Sequence, residues 1–274
     1  MIAFRVDRLL HEARRLTGRT LAGCRLHRIR YVRVDGVEIV LKSRRLGSGL
    51  AVVVGNLYLR LQRSDVEVQT DEEWLRWELA VEAATKGGIV IPIHPSPHEN
   101  FRGLISRVCP GLPLRNILID PTCSLDEKFA AIRGAMAALH QLHRHRADWG
   151  NGVPQSLSHG DATVNNVLVN LKTQSARWID FDTRHLPHLP EPDRHADDLR
   201  ALIYSAAAHL PQSCFAPLAA EFVASSPTST VHRFRQRLTT DWRRLNTFQL
   251  AQAPLSWKDS LALSQALLQF RSEP

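Results

Sequence analysis

The sequence His-Gly-Asp-Ala-Thr-Val-Asn-Asn at residues 159–166, followed by Trp-Ile-Asp-Phe-Asp at 178–182, decides the fold. Asp161 precedes Asn166 by five residues, and Asp180 follows Asn166 by fourteen. Short apolar runs adjoin both motifs, so a strand–turn–strand hairpin would bring Asn166 and Asp180 together. Phosphoryl transfer from ATP uses such a set: one carboxylate accepts a hydroxyl proton, and an amide and a second carboxylate hold metal ions.

In order and spacing, these residues resemble the kinase-like phosphotransferase superfamily, which includes protein kinases, aminoglycoside and choline kinases, and lipopolysaccharide kinases. Gly160 stands where protein kinases usually have Arg, as in the small-molecule branches. The resemblance implies that Asp161 is the catalytic base, that Asn166 and Asp180 are metal ligands, and that ATP and Mg²⁺ are the cofactors. His159 is interpreted as a residue that orients the catalytic loop.

The resemblance covers roughly residues 28–210 and implies an α+β, bilobal protein-kinase-like fold. A small β-rich N-lobe, residues 1–107, would hold an N-terminal helix, an antiparallel sheet and a Glu-bearing helix. A hinge at 108–112 would lead into a larger, mainly helical C-lobe, residues 113–274, with the catalytic hairpin at 157–182. The strand at 104–109 is similar to the hinge strand that binds adenine through backbone groups, and Val108 is the expected contact.

Hydrophobic periodicity and turn residues predict the remaining elements. They are an amphipathic helix at 2–17, a β-hairpin at 28–43 around Asp35-Gly36, a helix at 72–86 ended by Gly87-Gly88, a strand at 89–91 ending at Pro92, a short helix at 114–119, a helix at 126–143 capped by Ser124, a Pro-rich link at 187–192, and helices beyond it interrupted by Pro211, Pro217 and Pro227. Gly18 and Gly23, Gly36, or Gly47 and Gly49 could each belong to the phosphate-binding loop, and the Asp35-Gly36 turn is the preferred position.

A kinase-like N-lobe needs a strand cation for the ATP phosphates and a helix Glu to hold that cation. Glu78 lies in the middle of the predicted helix, and Glu82 is the alternative one turn later. Lys42 ends the strand Val-Glu-Ile-Val-Leu-Lys and is the preferred cation. Arg60, in the apolar run at 57–61, is the alternative strand cation, so the sequence leaves two candidates for the residue that binds the phosphates.

The lipopolysaccharide core kinases, which phosphorylate heptose or Kdo, offer a closer resemblance. Residues 41–49, with their basic residues and glycines, and the run at 55–61 look similar to the region before the Glu helix in those enzymes. Ile-Asp-Phe-Asp at 179–182 resembles the Kdo-kinase version of the metal motif. The sequence from Asp197 to Ala206 resembles the helix that follows the metal motif in the heptose kinases. This resemblance implies that Asp198 matches a structural Asp that braces the catalytic loop.

Composition indicates an ordinary globular protein with 44% hydrophobic and 23% charged residues and without an apolar run long enough for a transmembrane helix. The four cysteines are scattered, which fits a reducing cytoplasm. The net charge of the chain is +8, and residues 1–45 alone carry the same net charge, since they hold twelve Lys/Arg and four Asp/Glu. A second basic run spans Arg233–Arg244. Both favour an anionic partner.

The sequence therefore predicts a cytoplasmic, Mg²⁺-dependent ATP phosphotransferase that acts on a hydroxyl of a small-molecule acceptor, an anionic sugar or glycolipid. Peripheral contact with the anionic inner face of a membrane is a further expectation. Aminoglycosides are disfavoured by the basic charge, nucleic acid by the lack of a binding motif, and no obligate protein partner is indicated. The alternatives are a protein Ser/Thr kinase and a nucleotide-binding pseudokinase scaffold.

Overall fold

The computed structural model describes residues 26–34, 36–45, 47–62, 64–85, 90–93, 103–148, 152–240 and 255–269. The predicted helix at 2–17, the Gly87-Gly88 helix stop, Asp35 of the proposed phosphate loop, and the basic residues Arg243 and Arg244 lie outside the described residues.

Two long strands, β1 (His27–Val34) and β2 (Val37–Arg44), form the predicted hairpin, with Val34 paired to Val37 across the turn. This prediction is confirmed. Strands β4 (Val90–Ile93) and β5 (Gly103–Arg107) complete an antiparallel sheet in the order β1-β2-β5-β4. The predicted strand at 89–91 therefore runs through Pro92 to Ile93, and Lys42 lies on an inner strand, paired with Leu104.

The apolar run that contains Arg60 is a helix, α1 (Ser48–Leu61), so the interpretation of Arg60 as a strand cation is wrong. Short apolar runs do not distinguish strand from helix. Here the 14-residue length allows helical periodicity to bury Val52, Gly55 and Leu59 on one face. Strand β3 (Val66–Val68) and helix α2 (Asp71–Thr85) follow, and α2 confirms the predicted Glu-bearing helix.

The predicted catalytic hairpin forms from β9 (Val167–Asn170) and β10 (Ser175–Trp178), which pair antiparallel with Trp178 opposite Val167. The two-residue strand β6 (Leu112–Pro113) pairs with the outer side of β9 and so joins the hairpin to the chain that follows β5. A separate two-stranded ribbon consists of β7 (Arg146–Asp148) and β8 (Pro154–Ser156).

Directly after Asp182, strand β11 (Thr183–His185) pairs antiparallel with β3. Backbone hydrogen bonds flank this pairing on both sides: Gln69 N–H donates to the Asp182 carbonyl at 2.9 Å, and Leu186 N–H donates to Asp65 at 2.8 Å. The segment that follows Asp180 is therefore tied to the connection between α1 and α2.

The predicted helices α3 (Leu114–Ile119) and α4 (Leu125–Arg144) are present, and Ser124 caps α4 through a capping box with Glu127. The later helices are α5 (Glu191–Ala207), α6 (Phe215–Ser225), α7 (Thr228–Thr240) and α8 (Trp257–Gln269), with a 3₁₀ turn at Gln212–Cys214. Helix α5 begins inside the predicted Pro-rich link. Pro217 lies in the first turn of α6, where a missing N–H is tolerated, so it does not interrupt that helix.

The largest hydrophobic core lies among α3 to α8 and the catalytic hairpin, and it includes Trp77 and Val81 of α2. A smaller cluster joins α1 to β3 through Val52, Leu59, Val66 and Val68. The fold is mixed α+β, with small sheets and a helical region. Among the described residues, no helix is both long and apolar enough to cross a membrane.

Candidate active site

Three predicted residues meet where the first sheet, α2 and the catalytic hairpin converge. The ammonium group of Lys42 donates to Glu78 Oε1 at 2.6 Å and to Asp180 Oδ1 at 2.5 Å. These residues lie 36 and 138 positions from Lys42 in sequence. The Lys42 side chain is only 13% exposed and that of Glu78 only 12%, whereas Asp180 is 43% exposed. The cluster is therefore buried on the lysine side and open on the Asp180 side.

The charge state of Lys42 follows from its surroundings. Burial alone would lower its pKa, but the carboxylates of Asp180, Asp182 and Glu78 outweigh burial and raise the pKa well above the ordinary value. Helix α2 fixes this arrangement through Trp74, which is fully buried and donates from Nε1 to Glu78 Oε1 at 2.8 Å. Lys42 is therefore positively charged and fixed in position by ion pairs, and one of its partners, Asp180, is accessible to solvent.

Sequence reasoning assigned no role to Asp182 or His27, yet both belong to this cluster. Asp182 accepts from Lys42 at 3.0 Å and lies 2.7 Å from Nδ1 of His27, whose side chain is 6% exposed. Burial alone would raise the Asp182 pKa, but Lys42 and His27 lower it. Asp182 lies only two residues after Asp180, so its closeness in sequence was a usable signal. Nothing local pointed to His27.

Asp161 and Asn166 are held together in one tight loop. The Asn166 side-chain amide donates to the Asp161 carbonyl at 2.8 Å and to its carboxylate Oδ2 at 3.0 Å. The Asn166 carbonyl in turn accepts from Ile179 N–H at 2.9 Å. Asp180, which adopts a left-handed φ of 68°, follows directly. The hairpin thus brings Asp161, Asn166 and Asp180 to one end, as predicted from their spacing.

His159 links the loop that holds Asp161 and Asn166 to the segment that precedes Asp180. Its Nε2 hydrogen-bonds the Ile179 carbonyl at 2.9 Å, and its Nδ1 accepts from Asp161 N–H at 3.3 Å. The ring is fully buried, and burial lowers the His159 pKa below the ordinary value. These contacts describe a neutral imidazole with its proton on Nε2, so His159 holds the loop rather than exchanging protons.

Asp198 of α5 braces the same loop from beneath. Its carboxylate accepts from His159 N–H at 2.7 Å, from Gly160 N–H at 2.8 Å and from His143 Nε2 at 3.0 Å. Burial alone would raise its pKa, but His185 and His143 lower it to about 2. The charged carboxylate therefore satisfies the two buried backbone donors of His159 and Gly160.

Gly160 is required at its position for two reasons. Its φ is +80°, in the left-handed region, and a Cβ built there would lie 3.1 Å from the backbone of Arg184. The backbone of β11 therefore occupies the space that a side chain would need. This contact explains why Gly, rather than a larger residue, follows His159 in this chain.

We expect Gly160→Ala to lower the free energy of unfolding by about 2–4 kcal/mol, from left-handed strain and from the collision with Arg184. Gly47→Ala is the matched control, because its φ is +83° with open space around the Cβ position. Urea unfolding followed by circular dichroism measures both. Equal losses in the two variants would contradict a role for the Arg184 contact.

The remaining predicted residues lie elsewhere. Arg60 is exposed on α1. Glu82 pairs with Arg177, whose Nη2 donates to both carboxylate oxygens at 2.7 and 2.6 Å. This ion pair lies beside a cavity of about 210 Å³ between α2, α4 and β10. The amide N–H of Val108 donates to the Glu38 carbonyl at 3.2 Å, so an adenine contact there would have to use its carbonyl oxygen.

Two of the three arginines of the basic run on α7 form ion pairs within the fold. Arg233 pairs with Asp193 at 2.5 Å, and Arg237, which is buried, pairs with Asp65. These arginines join α7 to α5 and to the turn before β3. Part of the charge of this run is therefore used in ion pairs within the fold, and the attraction of an anionic partner stays a prediction.

The donor set defines what the site can hold. Among the described residues, His27, Asp180 and Asp182 are a group of possible ligands whose atoms lie within 4.8 Å of one another. Asp182 is held by both Lys42 and His27 and is 17% exposed, whereas Asp180 contacts Lys42, is 43% exposed and follows Ile179, which is bonded to Asn166. Carboxylate and amide oxygens suit a hard cation such as Mg²⁺. Asp180 and the Asn166 amide oxygen are therefore the fitting pair.

No protein-family model matches this sequence, and none of the curated proteins compared with it matches either. The function is accordingly inferred from the geometry of the site.

Proposed function

We propose that this protein is a Mg²⁺-dependent ATP phosphotransferase with a bilobal, kinase-like arrangement, which moves the γ-phosphate to a hydroxyl group of a small-molecule acceptor. The observation that carries the proposal is the contact of Lys42 with both Glu78 and Asp180, beside the Asp161–Asn166 pair. A strand cation, a helix Glu and a metal-binding Asp are the parts that phosphoryl transfer from ATP requires.

Lys42 would bind the ATP phosphates. Its ammonium group is held by carboxylates on the inner side, and an incoming phosphate would replace the Asp180 carboxylate as a partner. Glu78 would stay paired with Lys42 during this exchange, because the hydrogen bond from Trp74 fixes the Glu78 carboxylate. Asp180 and Asn166 are the residues that would hold a Mg²⁺ ion, which would supply neutralisation of phosphate charge.

Asp161 would orient the acceptor hydroxyl and accept its proton. Asn166 holds one of its carboxylate oxygens, and His159 holds its backbone N–H, so the group is fixed in position. A positioned general base contributes roughly 10²–10⁴-fold to a rate. The rest of the acceleration would come from alignment of the reactants and from charge neutralisation.

The short connection after the metal motif favours a small acceptor over a protein. Eight residues, 183–190, separate Asp182 from α5, and three of them form β11. This segment is tied to β3 and offers no extended platform on which a peptide could lie. A sugar or glycolipid hydroxyl is the acceptor class that fits, and the protein Ser/Thr kinase alternative is disfavoured.

Calorimetry with Mg-ATP tests the proposal and the choice of cation. We expect the wild-type protein to bind Mg-ATP and Lys42→Met to bind it roughly 10–100-fold more weakly, because a charge-assisted hydrogen bond to phosphate is lost. Arg60→Met is the matched control, since Arg60 is exposed on α1, and we expect its affinity to stay within about twofold of wild type.

Thermal unfolding of each variant accompanies the titration, because Lys42→Met leaves three carboxylates without their cation. A well-folded wild-type protein that does not bind Mg-ATP would refute the phosphotransferase and the scaffold alternative together. A larger loss with Arg60→Met than with Lys42→Met would refute the assignment of Lys42.

A further inference from the structure

Helix α1 carries apolar side chains on two opposite faces. Its inner face, Val52, Gly55 and Leu59, packs against β3, and the Asn56 side chain holds the Val68 backbone with hydrogen bonds at 2.7 and 2.8 Å. Arg60 is the single charged residue among its fourteen. A surface helix ordinarily presents polar residues to solvent, and α1 does not.

The outer face of α1 is an exposed apolar stripe. The stripe follows the spacing of one helix face, and each of its side chains is between 48% and 75% exposed: Leu50, Val53, Val54, Leu57 and Leu61. Within the part of the chain that the structure describes, nothing buries these side chains. A contiguous exposed patch of this kind marks an interaction surface.

The charge around the stripe is strongly positive. Residues 26–62 hold seven Lys/Arg, of which Lys42 and Arg44 are paired with carboxylates inside the fold and the other five are exposed. The exposed arginines of this region are Arg28, Arg30, Arg33, Arg45 and Arg60. The strand hairpin and α1 are joined at Arg45, whose N–H donates to Leu26 and whose carbonyl accepts from Ser48 N–H. Exposed arginines therefore lie just before α1, at Arg45, and near its end, at Arg60, with further ones on the hairpin that precedes it.

The positive charge near the stripe favours some binding partners of the stripe over others. A second copy of the chain would bring the same basic region against itself. The N-terminal segment, residues 1–25, is also basic, with six arginines against Asp7 and Glu12. An anionic bilayer complements both features, because acyl chains accept the Leu and Val side chains while headgroups attract the arginines.

We propose that α1 is a membrane-docking helix, which lies in the interface of an anionic lipid bilayer with its Leu50–Leu61 stripe in the acyl region. Such binding requires no nucleotide and no acceptor. It is therefore independent of the phosphotransferase proposal and can fail or succeed separately.

Co-sedimentation with vesicles tests this docking. The probes are vesicles of phosphatidylcholine alone and of phosphatidylcholine mixed with phosphatidylglycerol, at low and high salt and without ATP. The variant is Val53→Gln/Leu57→Gln, which removes apolar contact without changing charge. Leu125→Gln is the matched control, since Leu125 is a 50% exposed apolar residue at the start of α4.

We expect wild type and Leu125→Gln to sediment with the anionic vesicles, to do so less at high salt, and to leave the neutral vesicles largely unbound. The double variant should bind at least about tenfold more weakly. Because its two positions are exposed, its melting temperature should match that of wild type. Absence of wild-type binding would overturn the proposal, as would equal binding by the double variant. Light scattering that shows a wild-type dimer, lost in the double variant, would assign the stripe to a second copy instead.

Discussion

Asp161→Asn is expected to lower turnover by roughly 10²–10⁴-fold while Mg-ATP affinity stays within about twofold of wild type. The substitution keeps the size of the side chain and its contact with Asn166, but it removes the group that accepts the hydroxyl proton. Transfer of radiolabelled γ-phosphate to a panel of phosphosugars and neutral sugars measures turnover. Calorimetry on the same preparation measures nucleotide binding.

Asp126→Asn is the control, because Asp126 lies exposed in the first turn of α4, away from the site. Its turnover should equal that of wild type. If Asp161→Asn retained full transfer to an acceptor that the wild-type protein phosphorylates, Asp161 would not be the base, and the assignment of the catalytic loop would fall with it.

Asp198→Ala is expected to destabilise the fold by about 3–5 kcal/mol at neutral pH. The substitution leaves the buried N–H groups of His159 and Gly160 and the ring of His143 without their shared acceptor. Asp126→Ala, which removes an exposed carboxylate, should cost far less. Chemical denaturation at pH 7 measures both, and similar losses would show that Asp198 does not brace the loop.

The same carboxylate predicts a pH dependence. Its pKa is about 2 in the folded protein, below the ordinary value of 3.8, so its contribution is present above about pH 4 and is lost as pH falls towards 2. The loss is on the order of 2 kcal/mol. Asp198→Ala should therefore show a shallower decline of stability between pH 4 and pH 2 than wild type, and an identical decline would contradict the lowered pKa.

Sequence pattern was sufficient where structure is local. The Asp35-Gly36 turn between alternating residues predicted the β1–β2 hairpin, and the buried stripe that includes Trp74 and Trp77 predicted α2. The spacing of Asp161, Asn166 and Asp180 predicted their meeting, because a hairpin between them leaves little freedom.

Pattern was insufficient where a contact joins distant parts of the chain. The choice between Lys42 and Arg60 depended on whether residues 57–61 form a strand, and a short apolar run does not decide that. The partnership of His27 with Asp182 spans the whole distance from β1 to the metal motif. The role of Arg237 was also missed, because net charge does not reveal which cations are paired within the fold.

The pairing of β3 with β11 also sets an order of assembly for the nascent chain. Glu67 and Arg184, which face each other across this pairing, are 117 residues apart, and Lys42 and Asp180 are 138 apart. At roughly 5–20 residues per second, a ribosome needs on the order of ten seconds to supply the second partner. During that interval the face of α2 that carries Trp77 and Val81 has no core to enter, since its partners come from the later helices. A fragment that stops before β6 therefore lacks the partners of this face, and we expect it to aggregate rather than fold.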